Sequence, residues 1–164
     1  MSTPDSGDPR GASDFLSGLS GRDLLSSADL SEEETRGVLD LAGQLKRGER
    51  RIDLSGRVLG LIFSKASTRT RASFTVAMAR LGGQTIDLLP TVTQVGRGEP
   101  IADTARVLSR YCDALAIRTF RQGDLEDYAH WASIPVVNAL TDLCLLYTSP
   151  SPRDQRGSRM PSSA

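Results

Sequence analysis

The run VLGLIF at residues 58 to 63 is the feature that most narrows the fold. Six apolar residues without a polar break suit a strand covered on both faces, as in a parallel sheet. The chain then passes at once into SKASTRTRASF, residues 64 to 74, dense in hydroxyls and positive charge. Residues 68 to 81 follow at helical period, with Phe74, Ala77, Met78 and Leu81 on one face and Gly82-Gly83 as the stop. The alternation repeats: a strand over 84–89, a helix over 101–111 with Ile101, Ala105, Leu108 and Tyr111 aligned, and a strand over 114–117. A helix over 124–132 and a strand over 135–137 complete it. Upstream, Ser31 and Glu34 have capping-box spacing ahead of a helix that carries Val38, Leu41, Ala42 and Leu45 and closes at Gly48. Strand and helix alternating in this way predict an α/β fold, an open parallel four-stranded sheet flanked by helices.

The 164 residues suit one ordinary domain. Residues 1–21, rich in Ser, Gly, Pro and Asp, are expected to be disordered, and residues 22–143 to form the domain. After Leu143 the apolar period ends, and CLLYTSPSPRDQRGSRMPSSA (residues 144–164) is expected to be a disordered tail or foreign sequence. Twenty basic residues against twenty acidic ones leave no net charge, so nucleic acid is not an expected partner. Cys112 and Cys144 have neither disulfide-framework nor metal-ligand spacing, which fits a reducing compartment and no bound metal. No segment approaches the roughly 20 apolar residues that cross a bilayer. The N-terminus lacks a hydrophobic stretch and carries several aspartates, so a cytoplasmic protein is expected, with no membrane partner.

In open parallel sheets, ligands lie beyond the carboxyl ends of the strands. SKASTRTR occupies such a place. A helix N-terminus there offers unpaired N–H groups and a positive dipole end, which together favour an anion. Ser67, Thr68 and Thr70 add hydroxyls, and Arg69 adds a forked donor matched to phosphate. The glycines of a Walker loop are missing. A plainer reading has Ser67 capping the helix while Arg69 and Arg71 point into water. TQVGRGEP (residues 93 to 100) brings Gln94, Arg97 and Glu99 in a loop that by itself reads as solvated surface. AIRTF (residues 116 to 120) puts Arg118 at the end of the third strand, on the same edge as Arg69. A shared anion accounts for both arginines. His130, the one histidine, sits in YAHWAS and reads as a surface or packing residue.

Taken together, FSKASTRTRASF, QVGRGEPIADTARVLSRYCDALAIRTF and IPVVNALTDL resemble the carbamoyl-phosphate domain of the transcarbamoylases, and in GRGEPIADTARVLSRY and IRTF the ornithine type. The similarity runs from about Leu24 to Leu143. It implies that Ser67, Thr68, Arg69 and Thr70 hold the phosphate of carbamoyl phosphate. It also implies that Gln94 reaches an adjacent subunit of a homotrimer, and that Arg118 binds between phosphate and carbamoyl oxygen. Arg69 and Arg118 would then carry the catalysis, with no metal or organic cofactor. L-Ornithine would bind through a second domain and yield citrulline, for arginine biosynthesis. A transcarbamoylase acting on aspartate or a modified ornithine remains open, as does a non-catalytic anion-binding or trimerising fragment. Two departures stand out. Leu145 occupies the position of the family's histidine, and the motifs of the ornithine-binding domain are absent. Negligible turnover is therefore expected of the chain alone.

Overall fold

The computed structural model describes residues 18–65, 67–88 and 98–141. Strands β1 (Val58–Phe63), β2 (Gln84–Leu88), β3 (Ala114–Arg118) and β4 (Val136–Asn138) form one sheet in the order β2-β1-β3-β4. Every pairing is parallel, as the sequence led us to expect. Helix α1 (Glu32–Arg47) precedes the sheet, and α2 (Thr68–Arg80), α3 (Ile101–Leu108) and α4 (Gln122–Trp131) follow β1, β2 and β3. Of the segment 1–21 expected to be disordered, residues 1–17 lie outside the described residues, as do the 144–164 tail, Leu89 and the loop with Gln94 and Arg97.

Side-chain alternation in β1 divides the core. Leu59, Leu61 and Phe63 join Ala116 on one face, packed by Phe74 and Met78 of α2. Ile62 joins Leu115, Ile117, Ala105, Leu125 and Tyr128 on the other, under α3 and α4. Gly60 faces this second layer, where a Cβ would meet Leu115 Cδ2 at 2.7 Å and Cys112 Sγ at 3.1 Å. Only a bare backbone allows that approach. The chain leaves β1 for β2 on one side and comes back to β3 on the other. The strand order therefore reverses between β1 and β3, where a parallel sheet opens a crevice at its carboxyl ends.

The caps behave as their sequences require. Ser31 Oγ accepts from Glu34 N–H at 3.1 Å, Glu34 Oε2 accepts from Ser31 N–H at 2.8 Å, and Gly48 closes α1 at φ 75°. Yet α1 buries none of its residues, and Val38 and Leu39 are exposed. Helix α3 ends at Leu108, short of the expected Tyr111. Ser109 Oγ donates to Ala105 O at 2.7 Å and accepts from Ser133 N–H at 3.0 Å. The next N–H groups, of Arg110 and Tyr111, bond three residues back. That tightening rotates Tyr111 off the core, leaving it 68% exposed, and turns Cys112 inward. Helix α4 starts two residues earlier than expected, at Gln122. Leu24 adds a single parallel bridge outside β4, its N–H donating to Val136 O at 2.8 Å. Among the described residues no helix is long and apolar enough to cross a membrane.

Candidate anion-binding site

Phe63 and Arg118, the last residues of β1 and β3, are register partners at the centre of the sheet. The pairing continues one step further, with Ser64 N–H donating to Arg118 O at 2.8 Å. From that position the Arg118 side chain reaches the start of α2. Its Nη1 donates to Ser67 Oγ at 2.8 Å and to Thr70 Oγ1 at 3.2 Å. Its Nε is shut off from solvent and has no hydrogen-bond partner among the described residues. A buried N–H left in this state costs about 1–3 kcal/mol. An acceptor arriving in front of the guanidinium would remove that cost.

Ser67 stands at the N-cap of α2, but its side chain makes no capping bond. Its hydroxyl oxygen is turned to Arg118 instead, which disposes of the plain capping reading. The first turn of α2 also holds no acidic residue. Helix α1 is the internal contrast: Ser31 caps it and Glu32, Glu33 and Glu34 fill its first turn. The positive end of α1 is thus neutralised by its own sequence, whereas that of α2 is left with N–H groups, hydroxyls and a guanidinium. Such an arrangement can hold a tetrahedral oxyanion.

The structure brings Ser67, Thr70 and Arg118 together and places Thr68 and Arg69 exposed on the same helical turn. Arg69 has no hydrogen bond or ion pair among the described residues. Gln94 lies outside them. Arg71 is committed elsewhere: its Nε lies 3.0 Å from Asp87 Oδ2 of β2, and its guanidinium carbon 5.4 Å from the Phe63 ring centre. The Nε–Asp87 contact is an ion pair whose angle falls short of a hydrogen bond. His130 is exposed and packs edge-on to Trp131 at 4.7 Å, away from the site.

Sequence reasoning missed a polar belt along the carboxyl ends of β3 and β4. Thr119 Oγ1 donates to Asp124 Oδ2 at 3.2 Å, tying the end of β3 to α4. Thr141, fully buried, donates to Gln122 Oε1 at 2.7 Å and accepts from Asn138 Nδ2 at 3.2 Å. The polar residues of NALTD were the available signal, but strand pairing alone reveals their partners. Two buried groups of the core are shifted upward from their ordinary values. Burial, with Asp124 and Glu99 beside it, pushes Tyr128 up to about 12, and burial raises the Cys112 thiol. No metal-holding group of three or more His, Cys, Asp or Glu occurs among the described residues.

Residues 22–144 match the family model for the aspartate/ornithine carbamoyltransferase, carbamoyl-P binding domain. The chain is 75% identical over 133 residues to an ornithine carbamoyltransferase of Parasynechococcus marenigrum (strain WH8102), covering 81% of this chain and 42% of the relative. It is similar to the crystal structure of ornithine carbamoyltransferase from Gloeobacter violaceus, with a TM-score of 0.66 and 63% identity over 73% of this chain and 39% of that one. It is also similar to an aspartate transcarbamoylase from Trypanosoma cruzi in complex with N-(phosphonacetyl)-L-aspartic acid. There the TM-score is 0.68 and the identity 32%, over 74% of this chain and 39% of that one. The chain thus spans about two fifths of the length of these relatives.

Proposed function

Because the chain belongs to the aspartate/ornithine carbamoyltransferase family, matched over its carbamoyl-phosphate-binding domain, we propose that residues 22–143 hold carbamoyl phosphate for transfer to the side-chain amine of L-ornithine. Ser67, Thr68, Arg69 and Thr70 surround the phosphate. Arg118 lies between phosphate and carbamoyl oxygen and polarises the carbonyl. The neutral amine attacks the carbonyl carbon, a tetrahedral intermediate forms, and phosphate leaves with the C–O bonding pair; the attacking nitrogen gives up one proton to the departing phosphate or to solvent, leaving citrulline. Donors fixed beforehand around the developing oxyanion and the departing phosphate lower the barrier, and the reaction calls for no metal or organic cofactor.

One observation carries this reading: the Arg118 guanidinium bridges Ser67 and Thr70 while its Nε has no acceptor among the described residues. The ornithine choice is supported by identity, 63% to an ornithine enzyme against 32% to an aspartate enzyme of similar TM-score. Gln94 reaching into an adjacent subunit of a homotrimer, a cytoplasmic location and a place in arginine biosynthesis belong to the same proposal. Residues 22–143 supply only the anion half of the site. Placing the amine falls to residues outside that domain, so turnover by this domain alone is expected to be negligible.

Calorimetric titration of the chain with carbamoyl phosphate tests the reading. Binding is expected, weakened about 10- to 150-fold by Arg118→Met and similarly by Arg69→Ala, the range for losing one charge-assisted hydrogen bond. Unchanged binding in both variants would overturn it, as would no binding by the parent chain. Assaying the full-length enzyme with ornithine and with aspartate separates the two acceptors.

A further inference from the structure

We propose that Lys65 and Phe120 staple the two segments leaving β1 and β3, and so set where Arg118 lies relative to Ser67. The proposal rests on the anion-site reading and adds two positioning residues to it. Lys65 Nζ lies over the Phe120 ring, 4.4 Å from its centre. Backbone pairing between the two central strands ends at the Ser64–Arg118 hydrogen bond. Past that point the segments diverge, one into α2 and the other toward α4, and no further backbone hydrogen bond joins them among the described residues. Side chains join them there: Arg118 bonds Ser67 and Thr70, and the Lys65 ammonium sits on the Phe120 ring.

Core packing does not explain why Phe120 stands there, since it is 56% exposed. Its neighbour Thr119 is 5% exposed and bonded to Asp124, so the backbone that carries the ring is anchored. A cation over an aromatic face is attracted by the ring's quadrupole even in partial contact with water. The staple brackets the reactive pair: Lys65 stands just before Ser67 and Phe120 just after Arg118. Splaying the two segments would lengthen the Arg118–Ser67 contact, now 2.8 Å. The ring also keeps the Lys65 charge at the rim instead of on the bound anion.

Two measurements on the full chain decide the matter. In NMR spectra without ligand, the Lys65 ε-methylene protons should be shifted upfield by the ring, and Phe120→Leu should abolish the shift. The Arg118 Nε–H resonance should move in both Phe120→Leu and Lys65→Met, and stay near its parent position in Phe120→Tyr and Lys65→Arg. An Arg118 resonance unmoved in Phe120→Leu and Lys65→Met overturns the staple whether or not the chain binds anions. In titrations with carbamoyl phosphate, each disrupting variant should weaken Kd about two- to fivefold, and the double variant no more than either alone. Weakening by Lys65→Met without weakening by Phe120→Leu would mean that the lysine touches the anion directly, which also overturns the proposal. No binding by the parent chain, with the resonance shifts as expected, would sink the anion reading and leave the staple standing.

Discussion

At the scale of residues, Ser67 distinguishes a helix cap from a ligand site. A capping serine replaced by alanine costs typically about 1 kcal/mol of stability. Ser67 makes no capping bond and accepts from Arg118 instead. Ser67→Ala is therefore expected to weaken carbamoyl phosphate binding by about tenfold, and to lower thermal stability only through the acceptor lost to Arg118, which Thr70 still partners. Thermal melts and calorimetry on the same samples check both halves; a large melting shift with unchanged binding would restore the cap reading. The residues of this site were legible because charge and hydroxyls crowded a strand exit where a turn would ordinarily have glycine or asparagine. Their mutual contacts were not. Arg118 meets Ser67 and Thr70 across 51 and 48 positions of sequence, and only the register of β1 with β3 brings them together.

Among the elements, those bounded by local chemistry could be read directly. The capping box of Ser31 and Glu34 opens α1, and the left-handed Gly48 and the positive φ of Gly82 follow the ends of α1 and α2, as the sequence leads one to expect. Helix α3 could not be read that way, because Ser109 is held by Ser133, a tertiary contact that no periodicity encodes. Helix α1 separates formation from packing. It has the expected caps and apolar stripe, yet none of its residues is buried. Local opening should therefore expose its amides at a lower free energy than those of β1 and β3. Hydrogen exchange is expected to label Val38–Lys46 amides well before those of Leu61 and Ile117. Equal protection in the two regions would contradict this picture.

For the whole molecule, acid is the expected weakness. Asp113 is held below the usual carboxylate range by the Arg57 guanidinium and then by the Val58 N–H. Glu34 is lowered by the Ser31 N–H and then by Arg22. Asp29 is lowered first by its bond from Ser26 N–H. A carboxyl whose folded pKa is depressed lends stability that is fully present above its unfolded value near 4, and lost as pH falls through the folded value. Melting temperature should accordingly be flat above about pH 5 and drop below about pH 4. Asp113→Asn should flatten that drop, and melts followed by circular dichroism from pH 6 to 2 would show it. A drop as steep as the parent's would exclude Asp113 from the effect. The pairing of β1 with β3 has a consequence for synthesis as well. The hydroxyls that receive Arg118 leave the ribosome long before the guanidinium does, and the middle of the sheet closes only when β3 arrives to lie against β1. Ligand capture should thus switch on in one step as the nascent chain lengthens past Arg118, and any product ending earlier would carry the cradle without its clasp.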